Sequence, residues 1–555
     1  MNQALLHAAP TDHLASTHEV FNQTPPLVDY KAFEGDTALK EAVHRHGAEW
    51  AIPEISAHGA RTGSAEVIAW GFAANENKPV FASHDRVGHR VDLVSYHDSY
   101  HQMMKLGLEA GLHATPWTAP RPGAQVARAA MSYLQGQVDA GHGCPLTMTF
   151  ASVPAIKTTP ALAAEWLPKI LARSYDPRNL PHTEKRALTI GMGMTEKQGG
   201  SDVRANTTQA HRVGEAYELV GHKWFTSAPM CDAFLMLAQT DMGLSCFLVP
   251  RWRPDGSKNP MQVQRLKNKV GNCSNASSEI ELRGAMGWLL GEEGRGVPAI
   301  IEMVSMTRFD CMLGSTASMR QATAQAIHHA AHRSAFGKTL VDQPAMANVL
   351  ADLQLEVEGA LALTMRMAAA LDAPDDESEK LLLRLGLPAG KYWICKRNPH
   401  HAYEAMECLG GNGAIEDFIM ARLYRDAPIN AIWEGSGNVQ ALDMLRAIAK
   451  TPAVLQRWFD ELGKTQGVDC RLDVAVTKLK NEFSHFEELE YRARHLVDQL
   501  ALTLQASLLI SAGNAVVAEG FIASRLARQG ERSYGTLPRG LDVKQLIERG
   551  NPLAA

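Results

Sequence analysis

The run Ile432-Trp433-Glu434-Gly435-Ser436-Gly437-Asn438 joins a carboxylate to a large aromatic ring and a Gly-Ser-Gly loop. Glycine has no Cβ, so the backbone N–H groups and the Ser436 hydroxyl of such a loop can approach a ligand closely. The neighbouring Trp433 excludes water, which is expected to raise the pKa of Glu434 and make it a better base near neutral pH. A second interpretation stays open on these residues alone: Ser436 is also a suitable N-cap for a helix that begins near Asn438.

A second loop, Ile190 to Val203, contains four glycines together with Thr195, Ser201 and Asp202. Free N–H groups and hydroxyls of this kind can cradle a flat heteroaromatic ring and its phosphates. The alternative is a plain loop between two domains. A Rossmann site is disfavoured, because the glycines do not follow the G-x-G-x-x-G pattern and no βαβ unit surrounds them.

The run Lys223 to Ser227 is predicted to be a strand in which the aromatic Trp224 is followed by the hydroxyls of Thr226 and Ser227. Trp224 could stack on a ring while Thr226 bonds the nitrogens at the ring's edge, or Trp224 could simply fill a β-core. Arg333, after a long helix, could pair with a pyrophosphate or lie on the surface.

Two groups of histidines have a spacing that can bind zinc: His97 with His101, and His328 with His329 and His332. Neither belongs to an H-E-x-x-H motif or has an evident third ligand. We therefore expect no metal site.

The elements that must position these loops change character along the chain. Apolar residues at 3–4 spacing predict helices between residues 40 and 180 and again from Val297 onward. Short alternating runs between residues 208 and 282, separated by Gly, Asp and Pro, predict a β-domain. We therefore expect an α+β chain, mostly α, with a β unit inserted between helical bundles.

Composition excludes several classes of protein. The net charge of −5 gives no global attraction to nucleic acid or to an anionic membrane. Eight scattered cysteines without metal-ligand spacing are typical of reduced cytosolic thiols. The first 26 residues do not read as a secretory signal, and apolar stretches such as 500–512 are too short to span a bilayer. A cytoplasmic protein without membrane contact is expected.

Taken together, five motifs resemble the acyl-CoA dehydrogenase flavoprotein family over about residues 40–450. They occur in the family's order and spacing: M-T-E-x-x-x-G-S-D at 194–202, W-x-T at 224–226, R-x-x-F-G at 333–337, G-G-x-G at 410–413 and W-E-G-S at 433–436. The resemblance implies FAD as cofactor and an N-terminal helical domain, a central β-barrel or sandwich and a helical bundle. It also implies a subunit assembly, a homotetramer built as a dimer of dimers.

The resemblance assigns Glu434 as the catalytic base that removes the α-proton of an acyl thioester. The other family location for the base is Thr307 here, which cannot serve, and Arg308 matches an Arg near the CoA moiety. Flavin contacts are implied for Met192, Met194, Thr195, Gly200, Ser201, Trp224, Thr226, Ser227, Ile432, Trp433, Gly435, Ser436 and Asn438. The adenosine half of a neighbouring subunit's FAD would contact Arg333, Phe336, Glu407 and Gly411. The family usually has Gln where this chain has Glu407 and Asn438.

Four runs and the C-terminal helical region beyond residue 450 resemble, more closely still, the branch of the family associated with the adaptive response to DNA alkylation; the runs are Val20–Pro25, Gly191–Val203, Met306–Asp310 and Ile432–Asn438. That branch implies binding of double-stranded DNA through the C-terminal region, although the charge of residues 444–555 is nearly balanced. Candidate contacts are Arg446 and a set of arginines at helical spacing, Arg525, Arg528 and Arg532. A solvated helix face is the alternative for that set.

The expected division is 1–185, an N-terminal helical domain with an extended arm; 186–295, a flavin-binding β-domain; 296–445, a flavin-binding helical bundle; and 446–555, a C-terminal helical domain for DNA. Three functions stay open. The favoured one is a DNA-binding flavoprotein that limits alkylation damage, with an alkylating small molecule as a possible target and weak dehydrogenase activity. The others are an ordinary acyl-CoA dehydrogenase that uses Glu434, and a DNA-shielding protein whose FAD is purely structural.

Overall fold

The N-terminal region is built from helices, as the spacing of its apolar residues predicts. In the computed structural model, which describes residues 17–485, 487–527 and 533–554, these helices are α1 Thr37–Arg45, α2 Ile52–Thr62, α3 Ala65–Glu76, α4 Asp98–Glu109, α5 Thr115–Thr118, α6 Ala124–Gly136, α7 Gly143–Ala151, α8 Val153–Lys157 and α9 Pro160–Ile170. Local chemistry fixes their starts: the Asp36 side chain accepts a hydrogen bond from the Leu39 N–H at the N-cap of α1.

The expectation that residues 40–180 are helical throughout is wrong at one place. An antiparallel hairpin, β1 Val80–His84 with β2 Arg90–Ser95, lies between α3 and α4. The Asp85 side chain accepts hydrogen bonds from the N–H groups of Val87 and His89, and Gly88 has φ 95°, so this Asp-x-x-Gly segment forms the turn.

The β-rich region closes on itself. Its strands are β3 Ile190–Gly193, β4 Gln209–Val213, β5 Ala216–Ser227, β6 Ala233–Thr240, β7 Gly243–Pro250, β8 Met261–Leu266 and β9 Ser277–Leu290. Strand pairing runs β6-β4-β5-β9-β7 and returns to β6, while β3 joins β6 in parallel and β8 joins β9. A closed ring of pairings leaves few free edges, which makes this unit a barrel.

A bundle of long helices follows the barrel. Its elements are α10 Gly296–His332, a short hairpin β10 Ser334–Ala335 with β11 Lys338–Thr339, α11 Pro344–Leu371, α12 Glu377–Cys408, α13 Ile419–Asp426, α14 Ile429–Ile432 and α15 Gly437–Lys450. α15 ends at Lys450 and the next helix starts at Ala453. Pro452 lacks an N–H and interrupts the helical hydrogen bonds.

The C-terminal region adds α16 Ala453–Gly463, α17 Cys470–Ser484, α18 Leu489–Ser511, α19 Ala515–Phe521, a π-turn Ile522–Leu526 and α20 Val543–Gly550. Buried apolar residues of the N-terminal helices, the bundle and α18 form one continuous core, and the barrel packs a second core against α7–α9. The predicted fold class, α+β with mostly helix, is confirmed. The division into four domains stays a prediction.

Candidate active site

Glu434 lies in a tight loop between α14 and α15. Its backbone is left-handed, with φ 55°, and the following Gly435 has φ 93°. This conformation costs a residue with a Cβ about 1–3 kcal/mol and persists only where the surroundings enforce it. Ser436 is the N-cap residue of α15, but its side chain makes no capping hydrogen bond. The position therefore matches the helix-start interpretation, while the hydroxyl is left for another partner.

Three side chains hold the backbone of this loop. Lys391 Nζ donates to the Trp433 carbonyl at 2.7 Å and to the Gly435 carbonyl. Gln440 Nε2 donates to the carbonyls of Glu434 and Gly435, at 2.9 and 3.0 Å, and Arg308 Nε donates to the Glu434 carbonyl at 3.3 Å. Sequence reasoning identifies Arg308 but misses Lys391 and Gln440. A lysine inside the apolar stretch of α12 is the signal for Lys391, because lysine is rarely buried without a purpose.

The Glu434 carboxylate faces α10. Thr307 Oγ1 donates to Glu434 Oε2 at 2.8 Å. Burial raises the pKa of Glu434, while the Thr307 hydrogen bond and the charges of Lys391 and Arg308 lower it, and the net direction is upward. This matches the direction expected from the sequence. A raised pKa brings a carboxylate closer to the pH at which it can act as a general base.

A buried ion pair joins the Ile190–Val203 loop to β5. Lys223 Nζ lies 2.7 Å from Glu196 Oε1, and both side chains are 0% exposed. Glu196 also accepts hydrogen bonds from Thr208 Oγ1 at 2.6 Å and from the Thr207 N–H at 2.7 Å. The Trp224 N–H then donates to the Thr195 carbonyl at 2.8 Å. Thr195, within the predicted flavin loop, is thereby joined to the strand that carries Trp224.

Thr226 and its neighbours form the barrel wall of the site. Thr226 Oγ1 is fully buried and has no hydrogen-bond partner among the described residues. Ser227 Oγ lies 2.9 Å from Ser277 Oγ. Lys267 Nζ lies 3.2 Å from the centroid of the Trp224 ring and also pairs with Glu279. Lys197 Nζ and Arg265 Cζ each lie 5.8 Å from the same centroid. Cations therefore border the Trp224 ring, and its stacking on a flavin stays a prediction.

The remaining members of the Ile190–Val203 loop vary in exposure. Met192, Met194 and Thr195 are partly buried, whereas Gly200 and Ser201 are exposed. A Cβ at Gly200 would lie 2.4 Å from Thr195 Oγ1, so this position requires glycine.

Residues predicted to reach a neighbouring subunit lie on the surface. Phe336 is fully exposed at the tip of the β10–β11 hairpin, with φ 53°, and Glu407 and Gly411 are exposed at and just beyond the end of α12. Arg333 is partly buried, and its guanidinium donates to the Asn22 carbonyl in the N-terminal arm. These residues are accessible to a second copy of the chain.

Asn438 lies at the start of α15 and accepts a hydrogen bond from Arg494 Nε at 2.7 Å. Arg494 belongs to α18, so the C-terminal region reaches the predicted flavin loop directly. Arg446, on the last turns of α15, is exposed. Ile432 is exposed, and Trp433 donates from Nε1 to Asn430 at 2.9 Å.

The surroundings of Arg525 contradict the DNA contact predicted for it. Arg525 lies in the π-turn after α19, is largely buried, and pairs with Asp352 at 2.5 Å and Glu356 at 3.1 Å. Its charge is neutralised inside the protein and is not available to a phosphate. Arg528 and Arg532 lie outside the described residues.

Two further observations concern metals and membranes. Among the residues the structure describes, no group of three or more His, Cys, Asp and Glu side chains could hold a metal ion. Within the same residues, no helix has the length and apolar character needed to cross a bilayer.

Comparison with known proteins assigns the family. AidB of Escherichia coli (strain K12), an acyl-CoA dehydrogenase homologue, is 46% identical over 489 residues, which covers 88% of this chain and 90% of the relative. The chain belongs to the acyl-CoA dehydrogenase family. Sequence models of this family match in three segments: the adaptive response protein AidB N-terminal domain at residues 22–177, the middle domain at 191–285 and the C-terminal domain at 294–449.

More distant family members share the same architecture. Acyl-CoA dehydrogenase family member 11 of Caenorhabditis elegans is 28% identical over 498 residues, covering 85% of this chain and 80% of that protein. The solved structure of Caenorhabditis elegans ACDH-11 in complex with C11-CoA has a TM-score of 0.83 at 27% identity and covers 94% of both chains. The likeness therefore includes the C-terminal region beyond α15.

FAD is the cofactor of the family, which confirms the cofactor expected from the sequence. The residues present fit a flavin. The buried, unpartnered Thr226 hydroxyl requires a hydrogen-bond partner, since buried polar atoms are rarely left unsatisfied, and a flavin ring edge supplies one. The Trp224 ring offers a stacking contact, and the Ser436 hydroxyl at the start of α15, which makes no capping hydrogen bond, offers a phosphate contact.

Proposed function

We propose that this family member oxidises an acyl thioester between its α and β carbons, with Glu434 as the base. The Glu434 carboxylate removes the proton from Cα, and a C=C double bond forms between Cα and Cβ. When bound, FAD would supply the acceptor for the hydride that leaves Cβ. Thr195, Ser201, Trp224, Thr226 and Ser436 would be among the residues that hold it.

One observation carries this proposal: a partly buried carboxylate with a raised pKa is fixed in a left-handed turn and accepts a hydrogen bond from Thr307. Thr307 occupies the alternative position for a base and has no group that could accept a proton near neutral pH. The substrate class is supported by the Caenorhabditis elegans neighbour, which was solved with C11-CoA.

Anaerobic bleaching of the flavin by acyl-CoA thioesters tests the proposal. A panel of straight and branched chains should bleach the wild-type protein, and Glu434→Gln should abolish the reaction while the protein retains FAD. Glu377→Gln, an exposed position at the start of α12, is the matched control and should bleach normally. No bleaching of the wild type by any thioester of the panel would refute a dehydrogenase function.

We propose as a second function a role in the adaptive response to DNA alkylation. Support comes from the 46% identity to AidB and from the match to the AidB N-terminal domain. Double-stranded DNA is the proposed partner, and the exposed Arg446 is the contact that the described residues favour. Arg446→Glu should weaken a salt-sensitive shift of duplex DNA, whereas Arg86→Glu on the distant β1–β2 turn should not. Equal shifts for both variants would exclude Arg446 as a contact.

Protection of DNA from a methylating agent separates chemistry from shielding. If the flavin deactivates an alkylating small molecule by way of Glu434, Glu434→Gln should lose protection. If FAD is purely structural and the protein shields DNA, Glu434→Gln should protect fully.

We also propose a homotetramer in which Arg333, Phe336, Glu407 and Gly411 face a neighbouring subunit's FAD. The full exposure of Phe336 supports this arrangement. Phe336→Asp should lower the mass measured by light scattering and release FAD, and an unchanged tetramer with full flavin content would contradict it.

A further inference from the structure

Lys391 is a buried cation whose described partners are backbone carbonyls. Its side chain is 1% exposed on α12, and its ammonium donates to the carbonyls of Trp433 and Gly435, the residues on either side of Glu434. In the parts of the chain that the structure describes, Lys391 Nζ forms no ion pair with a carboxylate within 4.0 Å. Carbonyl dipoles solvate the ammonium but do not neutralise it, and a charge buried in this way is costly without compensation.

The charged and titratable groups around Glu434 come from several elements. They are Arg308 and Cys311 on α10, Lys391 on α12, Asp443 on α15, and Cys144 on α7. Burial raises the pKa of both thiols, so Cys144 and Cys311 stay neutral near pH 7. Asp443 lies 2.7 Å from Arg308 and 2.9 Å from Arg384, so two guanidinium groups share one carboxylate. Lys391 adds a further positive charge beside the Glu434 loop, and its described partners are carbonyls.

We propose that Lys391 is a positioning residue for Glu434: it holds the left-handed turn through two carbonyls and supplies a positive charge that favours the ionised carboxylate. The inference rests on the proposed role of Glu434 as base. A base must be ionised before it removes a proton, and burial works against ionisation. Lys391 opposes that effect without occupying the carboxylate oxygens, which stay directed at Thr307.

Gln440 allows the two parts of this role to be separated. Its amide donates to the carbonyls of Glu434 and Gly435, so a neutral donor already contributes to the geometry of the turn. If Lys391 were needed for geometry alone, a neutral donor in its place would suffice. The charge is the property that Gln440 cannot provide.

The test follows the protonation of Glu434 by infrared spectroscopy of the FAD-loaded protein. The C=O band of a protonated carboxyl is recorded against pH. For each protein, the spectrum of the same protein carrying Glu434→Gln in addition is subtracted. This subtraction is needed because burial also raises the pKa of Asp372, Asp426 and Asp498 to about 6. The variants are Lys391→Gln, which keeps a donor without the charge, Lys391→Arg, which keeps the charge, and Lys391→Met as a second neutral variant.

Both neutral variants should move the titration midpoint of Glu434 to higher pH by roughly one pH unit, as expected for loss of a nearby opposite charge. Lys391→Arg should stay close to the wild type, and Lys380→Met, at an exposed position on the same helix, should not move the midpoint. The proposal is overturned if either neutral variant folds with FAD and keeps the wild-type midpoint, or if Lys391→Arg shifts as far as the neutral variants.

The readout needs neither substrate nor turnover. If the wild type bleaches with no thioester but the midpoint still shifts in the neutral variants, the proposed dehydrogenase function fails while the role of Lys391 in charging Glu434 stands. If bleaching occurs, the acid limb of the pH dependence of its rate should shift in the same direction and by the same amount as the infrared midpoint.

Discussion

Removing the cation of the Glu196–Lys223 pair should destabilise the barrel and loosen the flavin loop. Lys223→Met leaves the Glu196 carboxylate fully buried, because both side chains are 0% exposed in the wild type. Breaking a buried pair on one side costs about 3–5 kcal/mol of unfolding free energy. The pKa of Glu196 gives a second measure: it is lowered to about 2 from 4.5 against the effect of burial, chiefly by Lys223, which corresponds to about 3 kcal/mol near neutral pH.

The sign of the pH dependence follows from that shift. A carboxyl whose folded-state pKa is depressed contributes its full stability above the unfolded-state value and loses it as the pH falls through the folded-state value. The contribution of Glu196 should therefore be complete above pH about 4.5 and disappear towards pH about 2. The stability difference between the wild type and Lys223→Met should shrink over that window.

Chemical unfolding followed by tryptophan fluorescence, with FAD retention measured in parallel, is the assay. Lys78→Met, at an exposed position, is the matched control and should unfold like the wild type. The double variant Lys223→Met/Glu196→Gln should recover part of the loss, because the amide is no longer an uncompensated buried charge. If Lys223→Met unfolds within about 1 kcal/mol of the wild type at pH 7 and retains FAD equally well, the reasoning fails.

Three further predictions follow from single contacts. Thr307→Val removes a hydrogen bond that lowers the pKa of Glu434, so the infrared midpoint of Glu434 should rise, and an unchanged midpoint would contradict the contact. Thr226→Val should weaken FAD binding by about 1 kcal/mol, measured by fluorescence titration of the apoprotein, and unchanged affinity would mean that the hydroxyl has another partner. Arg525→Met should cost about 3–5 kcal/mol of stability, measured by chemical unfolding, and leave DNA shifts unchanged; lost DNA binding in a stable variant would restore the surface role.

Local patterns predict the parts of the site that are continuous in sequence. The Trp433–Ser436 run, the glycine-rich loop before β4 and the hydroxyl-flanked Trp224 each carry their chemistry within a few residues. The hairpin at β1–β2 also had a local signal, the Asp-x-x-Gly turn at residues 85–88. It was missed because strong helical patterns lie on both sides of it.

Pairings between distant residues could not be predicted from the sequence. Arg525 sits in a locally basic stretch, but its carboxylate partners lie on α11, far back in the chain. Likewise, closure of the barrel requires Gln209 of β4 to pair with Gln239 of β6. The alternation of apolar and polar residues along either strand does not specify this partner. Such contacts depend on the folded chain, so basic composition alone is a poor guide to a DNA-binding surface.

The C-terminal region is joined to the rest of the protein by several of its basic side chains. Arg549 pairs with Glu41 on α1 and Glu358 on α11, and Arg494 holds Asn438 at the flavin loop. The positive charges of Arg549 and Arg494 are thus engaged inside the protein, and the proposed DNA contact is assigned instead to the exposed Arg446. The Arg494–Asn438 hydrogen bond connects α18 to the start of α15, directly after the loop that carries Glu434. A ligand that displaced α18 would therefore also disturb the base, which is why DNA binding and flavin chemistry need to be measured on the same protein.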